Sequence, residues 1–522
     1  MDESDKSSPV GDMPLPRETR ESASPELVFG LVGPLGCNID AVQECLVAEL
    51  LKVKYVSTII HITNDVKEAI PELKSQIMAN VNQKIEVMNK VVEASGTADF
   101  LAKIAIGKII STRRELNKAS GVSPDWLNLA QVPGRAYIIR QLKRPHEIDI
   151  LRRVYGRKFI QVSVVVSEAE QLESVASMIS RDDPAMGRDE IGEESRRLVA
   201  RDREEVNIKF GQRLINAYHS ADVFIGGSVT EVAKQTERFM QAFFGSNYIS
   251  PTRDELGSYF AKAASLRTLD LSRQVGAAIL NETGDIISIG CNEVPRPGGG
   301  NYWCDDKSPQ RDIERGIEAN KLETSKIIAD FVYALAKHQK VKMDPKEVLS
   351  DPEFGKIMKD TLVSDLTEFG RMAHAEMSAL ADAARLGLST KGATIYVTTF
   401  PCHNCAKHLV AAGLDRIVYI EPYLKSRAFD LSSDALSAGV RVEGKVLVQH
   451  FVGISPRRFR DIFEKPKKRR DDNNKIKKWH YDEPLPMIED KMWTHTYAEA
   501  NALKDLIPQI ELVKTIFQRL PS

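Results

Sequence analysis

Cysteine is scarce, with six residues in a chain of 522. That scarcity excludes a disulfide framework as the source of stability and points to a reducing compartment, so the expected location is the cytoplasm. Long apolar runs are missing as well. No stretch approaches the ~20 residues that span a bilayer, and no basic segment followed by an apolar run opens the chain, so neither a membrane anchor nor export is expected. Nor is there an excess of one charge: 72 Lys and Arg against 73 Asp and Glu leave a formal net charge of −1. Bulk binding to a polyanion is thereby not indicated, although local patches can still form. What is present is ordinary for a globular protein, 42% hydrophobic and 28% charged, with length for two or three domains.

The chemistry-bearing residues are concentrated in two short motifs, His374-Ala375-Glu376 and Pro401-Cys402-His403-Asn404-Cys405. Together they match the H-x-E…P-C-x-x-C signature of zinc deaminases. A zinc ion that activates water needs three protein ligands and an open position, whereas a structural zinc is usually closed by four. His374, Cys402 and Cys405 meet the first requirement and leave Glu376 unligated. Near a helix start, the Glu376 side chain points away from the imidazole and serves as the proton shuttle. Pro401 is placed to end a strand over 394–398 and to start a helix over 402–412. Both thiols then face one helical turn, whose N-terminus favours the thiolate form. A lone C-x-x-C also suits a redox pair or half of a structural zinc site; the two motifs together select the catalytic reading. Cys291, Cys304, His403 and His408 lack ligand spacing and are not read as a second metal site.

Residues 1–25, rich in Ser, Asp, Glu and Pro, read as a disordered tail. Residues 26–240 form a first domain in which strands at 26–33, 55–62, 135–140, 158–166 and 222–225 alternate with helices such as 40–53 and 145–154. That alternation predicts a doubly wound parallel sheet with a ligand at the strand carboxyl ends. Gly30, Gly33, Pro34 and Gly36 make a glycine-rich turn where phosphates would be cradled, with Cys37 and Asn38 in the places of Lys and Ser or Thr. So degenerate a loop implies nucleotide binding through backbone amides rather than phosphoryl transfer; the alternative is a turn that only packs strand on helix. Arg201-Asp202-Arg203 reads as part of a solvated charged face.

A second domain, 251–463, opens with a helix over 254–266 and a hairpin whose strands 272–280 and 285–290 flank Asn281-Glu282-Thr283-Gly284. In residues 464–522, the basic run from Lys465 to Trp479 reads as a linker, or as a contact for RNA or a nucleotide. The segment 497–520 has the spacing of one or two amphipathic helices that pack on a domain or a second subunit, and a homo-oligomer is expected.

With Cys291-Asn292-Glu293-Val294-Pro295 and the hairpin, the two metal motifs resemble the deoxycytidylate deaminase branch of the cytidine-deaminase-like fold. Residues 27–227 resemble the P-loop nucleotide-kinase-like fold, on Gln141-Leu142-Lys143-Arg144-Pro145-His146-Glu147 and Ala217-Tyr218-His219-Ser220-Ala221-Asp222. The resemblances imply an α/β protein, a P-loop kinase-like parallel sheet followed by an α/β/α deaminase sandwich. They imply Zn2+, attack of water on C4 of cytosine, and Asn292 on the sugar with Glu293 assisting. Backbone near Ala375 and Cys402 would position the base, and Tyr423, Lys425 and Arg457 would meet the nucleotide, the basic groups its phosphate. The family's Gly-Tyr-Asn-Gly stands here as Gly290-Cys291-Asn292-Glu293, so a regulatory triphosphate site on that turn is not carried over. Residues 297–368 resemble the insertion such deaminases carry. The two halves together resemble the bacterial anti-phage deoxycytidine nucleotide deaminases, which implies dCMP and dCTP as substrates and a restraining or sensing first domain. A regulatory small RNA, a nucleotide or a protein would all suit that restraint. A tRNA or single-stranded DNA deaminase, an idle nucleotide sensor and a bifunctional kinase-deaminase are the competing readings.

Overall fold

The computed structural model describes residues 24–519, apart from 77, 206–207, 339, 341–342, 360, 367–368, 466–468, 471–472, 477–478, 480–485 and 489–494. The expected N-terminal tail therefore lies almost wholly outside the described residues, as does much of the basic run after Lys465.

The first sheet is parallel through β1 (Leu27–Val32), β2 (Val56–His61), β3 (Arg135–Arg140), β4 (Phe159–Val165) and β5 (Val223–Gly226), in the order β5-β4-β1-β3-β2. Strands buried on both faces read as unbroken apolar runs, and every residue of β1 is buried. One face is covered by α1 (Ile39–Lys52) and α9 (Val229–Phe243), which bring Leu46, Leu50, Phe239 and Phe243 together. The other face meets α2 (Ile62–Ala69), α3 (Val81–Ser95), α4 (Phe100–Ala119) and α5 (Pro145–Tyr155), through Val66, Val91, Phe100, Ile109 and Leu151. The three helices between β2 and β3 had no counterpart in the expected element order. Beyond β4 lie α6 (Glu168–Asp182), α7 (Arg188–Arg203) and the short α8 (Leu214–Tyr218).

The second sheet follows α10 (Arg253–Ser265) and contains the expected hairpin, β6 (Gly276–Leu280) with β7 (Ile286–Cys291). After the insertion, with α11 (Asp312–Arg315), α12 (Ala319–Lys337), α13 (Pro345–Ser350) and α14 (Pro352–Lys359), come α15 (Ala375–Arg385) and β8 (Thr394–Thr399). Next are α16 (His403–Ala411), β9 (Arg416–Glu421), α17 (Ala428–Leu431), β10 (Leu436–Ala438) and β11 (Val446–His450). The strand order is β10-β11-β9-β8-β6-β7. Side chains alternate across β6, so Ala277 and Ile279 meet Ala375 and Ala379 of α15 on one face. Ala278 and Leu280 share the opposite face with Ala261 of α10.

Glycine makes this close approach feasible. A Cβ on Gly290 would overlap the Ala375 carbonyl oxygen and come within 2.5 Å of the Ala379 amide nitrogen. Gly290→Ala is therefore expected to push α15, with His374 and Glu376 at its start, off the sheet, at a cost of about 1–3 kcal/mol. A urea melt and zinc content measured on the variant check this, and wild-type values for both would refute it.

The chain does not end its service to the first sheet at β5. After β11, β12 (Gly453–Ile454) pairs antiparallel with β5, and Ile454 and, from α18 (Phe459–Phe463), Ile462 enter the α1/α9 core. Residues 453–463, expected at the end of the second domain, thus complete the first sheet. Glu255 of α10, wholly buried, accepts from Ile454 N at 2.9 Å and from Arg238 of α9 at 2.7 Å, tying the two units together. Further on, α19 (His495–Ala502) packs on α5 and α20 (Leu506–Arg519) on α3 and α4.

Candidate active site

His374 is the N-cap of α15, in extended backbone conformation and with no capping hydrogen bond from its side chain, which leaves the imidazole available for another role. Cys402 is the N-cap of α16; its sulfur accepts from the Cys405 backbone N–H at 3.4 Å. The two helix starts thereby converge. His374 Nδ1 stands 3.4 Å from Cys402 Sγ and 3.3 Å from Cys405 Sγ, and the three donor atoms all lie within 4.8 Å of one another. One ion with bonds of about 2.0–2.3 Å reaches all three, so the donor set fits zinc. Among the described residues this is the one such cluster, and Cys291, Cys304 and His408 are not part of it.

Electrostatics at the cluster follow from proximity and burial. The hydrogen bond to Cys402 raises His374 to about 9 against the opposing effect of burial. Cys402 is held down at about 4, first by the hydrogen bond with Cys405 and, against burial, by His374. Cys405 is raised, first by that same bond with Cys402 and then by burial. Glu376, only 4% exposed, is pushed above the usual carboxylate range by burial, with the His374 charge opposing.

His374, Glu376 and Cys402 line a cavity of about 400 Å3, inside the range of small-molecule sites, with Cys405 buried behind them. Its walls come from the 270–275 loop, Asn292, Ala375, Thr399, Phe400 and Tyr423, with Asp312, Glu318 and Asn320 from the insertion and Arg371 just after it. Arg371 pairs with Asp312 at 2.8 Å; Arg273 pairs with Glu421 at 3.1 Å and lies over the Tyr423 ring.

Of the residues expected to meet the nucleotide, Asn292, Ala375 and Tyr423 line the cavity. The Asn292 amide holds the neighbouring loop, accepting from Val275 N and donating to Asp270 Oδ2 and Arg273 O, each at 2.8 Å. Three expected contacts fall elsewhere. Glu293 is 1% exposed and turns into the protein, where it accepts from Val294 N and Leu269 N. Lys425 is exposed on the stretch after Tyr423 and is not among the lining residues. Arg457 follows β12 into the first unit and lies 3.7 Å from Asp222, because that short strand carries the chain away from the deaminase sheet.

The glycine-rich turn also differs from its reading. Gly30 is a strand residue whose missing Cβ makes room for Leu142 and Phe159, and Asn38 caps α1 by accepting from Ala41 N at 3.2 Å. Counting G-x-x-x-x-G-K-[ST] from Gly33 puts Asn38, Ile39 and Asp40, not Cys37 and Asn38, at the last three positions. Only Gly36, at φ +85°, needs glycine for its conformation. Burial pushes the Cys37 thiol up to about 12, so it stays protonated near neutrality.

Thr399 and Phe400, not anticipated at the cavity, were within reach of sequence reasoning: they are the last residue of β8 and the one after it, at the carboxyl end where open α/β sheets place ligands. Asp312, Glu318 and Arg371 carried no such signal, since only the folding of the insertion brings them there.

Residues 254–421 match the family model described as the cytidine and deoxycytidylate deaminase zinc-binding region. The chain is 33% identical over 162 residues to a deoxycytidylate deaminase of Enterobacteria phage T4, covering 30% of this chain and 71% of the phage protein. It is 27% identical over 169 residues to a deoxycytidylate deaminase of Homo sapiens, covering 32% and 65%. Among solved structures, the dCMP deaminase of cyanophage S-TIM5 in complex with dCMP and dUMP matches at 17% identity and a TM-score of 0.22, over 39% of this chain and 100% of that one.

Proposed function

The chain belongs to the deoxycytidylate deaminase family, and we propose that it hydrolyses the C4 amino group of deoxycytidine nucleotides, dCMP and dCTP, to give dUMP and dUTP. The observation that carries this reading is the convergence of His374 Nδ1 on two cysteine sulfurs beside a buried, unligated Glu376 in one cavity. His374, Cys402 and Cys405 would hold zinc, which supplies Lewis acidity that makes water a nucleophile near neutral pH. Glu376 accepts a proton as water oxygen adds to C4 and delivers it to N3 of the ring. It then takes the proton of the new C4 hydroxyl and gives it to the amino group, so that the C4–N bond breaks, ammonia leaves and the C4 carbonyl of a uracil ring remains. A raised carboxyl suits a group that must both take and return a proton. Phe400, Tyr423 and the aliphatic wall exclude water around the base, and Arg273 and Arg371 are the guanidinium groups within the cavity for a phosphate.

On the two-part architecture we extend the proposal to depletion of deoxycytidine nucleotides in defence against phage, by a cytoplasmic homo-oligomer whose first unit restrains the second. The test is ammonia release with product identification by mass spectrometry on dCMP, dCTP, CMP and a cytosine-containing oligonucleotide. Turnover of the deoxynucleotides alone is expected. Turnover of the oligonucleotide alone would replace the proposal with polynucleotide editing.

A further inference from the structure

Arg201-Asp202-Arg203 was expected on a solvated face, yet Asp202 is 1% exposed. It sits in the last turn of α7 and reaches the glycine-rich turn. One carboxylate oxygen accepts from the Leu35 backbone N–H at 2.6 Å, and the other accepts from Lys143 Nζ at 2.7 Å. The same ammonium donates to the Gly33 carbonyl at 2.8 Å. A backbone amide of a glycine-rich turn and a lysine beside it are the donors that recognise a phosphate. Here the loop between β3 and α5 supplies that lysine, because the motif position itself holds Ile39. An anionic oxygen pair already occupies these donors, and it belongs to the protein.

The element that carries Asp202 is lightly held. α7 buries only Ser195, Leu198, Val199 and Asp202, and Leu198 and Val199 form a small cluster with Val175 and Ile179 of α6, apart from the main cores. Leu35 packs against this cluster, and α6 lies so close that a Cβ on Gly36 would be 3.0 Å from the Gln171 carbonyl oxygen. The α6/α7 hairpin therefore covers the turn; Asp202 is its latch to the turn, while Arg201 ties the same end of α7 to Asn82 and, at 3.3 Å, to Glu86 of α3.

We infer that Asp202 is an internal surrogate for a phosphate group, and that it competes with the phosphate of a nucleotide for Leu35 N–H and Lys143. Binding of the nucleotide frees the hairpin. Affinity in the wild type is lowered by the fraction of time the latch is closed. The inference goes beyond the deaminase reaction and does not depend on it.

The test uses the full chain with ATP, which has no cytosine for the deaminase cavity. ATP affinity is measured by calorimetry for the wild type, Asp202→Ala, and Asp202→Ala combined with Lys143→Met. Asp202→Ala is expected to bind at least about tenfold tighter than the wild type, and the double variant to lose that gain. Equal or weaker binding by Asp202→Ala would overturn the inference, as would a gain that survives Lys143→Met. Should Asp202→Ala fail to fold, hydrogen exchange in the wild type decides: amides of 188–203 are expected to exchange faster in 10 mM ATP than in matched salt. Unchanged exchange there would overturn it equally.

Discussion

Replacing Glu376 by glutamine should lower kcat on dCMP by about 10²–10⁴-fold while bound zinc stays at the wild-type level. The substitution keeps shape and hydrogen-bonding capacity but removes the group that takes a proton from water and returns it. The metal should stay because the three donor atoms are His374 Nδ1 and the two sulfurs, and Glu376 is not one of them. Turnover and zinc content of the same preparation check both halves. Retained activity would remove Glu376 from the mechanism, and loss of zinc would make it a support of the metal site. Because burial holds this carboxyl above the ordinary range, the acid limb of kcat/KM in the wild type should lie above that range as well. The sign is fixed by the mechanism: the first step needs the carboxylate, so activity falls as pH drops through the raised value.

Arg113→Met should be the most destabilising single change outside the active site, by about 3–5 kcal/mol. Arg113 is wholly buried and forks onto two carboxylates, 2.7 Å from Glu26 Oε2 and 2.6 Å from Glu499 Oε2. Removing it strands two buried carboxylates beside His495, and the desolvation they incurred is no longer offset. Burial alone would raise Glu26, but the hydrogen bond from His495 and the charge of Arg113 outweigh it and hold the carboxyl at about 2, down from 4.5. A carboxyl lowered on folding contributes stability that is complete above about pH 4.5 and is lost as pH falls toward 2. The variant should therefore show a lower urea midpoint at neutral pH and a shallower fall between pH 4.5 and 2. An unchanged midpoint would mean that the charges are relieved by water. Replacing Arg113, Glu26 and Glu499 together by methionine should recover much of the loss, since an apolar cluster carries no desolvation penalty.

Most strands were legible because parallel strands buried on both faces leave apolar runs that need no partner to be recognised, as at 135–140, 159–165 and 394–399. The metal donors were legible for a different reason: the ligand types and their spacing are dictated by coordination chemistry. What escaped was non-local. β12 is two residues long and its pairing with β5 leaves no periodic trace, so Arg457 was assigned to the wrong unit. Glu293 and Asp202 were read as exposed or ligand-facing because nothing in one sequence announces that a charged side chain has a buried partner. The insertion carries ordinary helical spacing over 319–337, which says nothing of its approach to the cavity.

The bond between His495 and Glu26 joins residues 469 positions apart, and the one between Arg113 and Glu499 joins residues 386 apart. During translation the first unit emerges early but lacks β12 and α19, leaving β5 with an open edge and Arg113 without one of its carboxylates. At roughly 5–20 residues per second, about 25–90 seconds pass between the synthesis of Glu26 and that of His495. For about half of that interval, between Phe224 of β5 and its partner Gly453, the nascent chain carries an unpaired strand edge, the kind of surface on which chaperones act and aggregates begin. A release that cut the chain short between 463 and 495 would leave a deaminase sheet already complete, attached to a first unit that lacks α19 and α20.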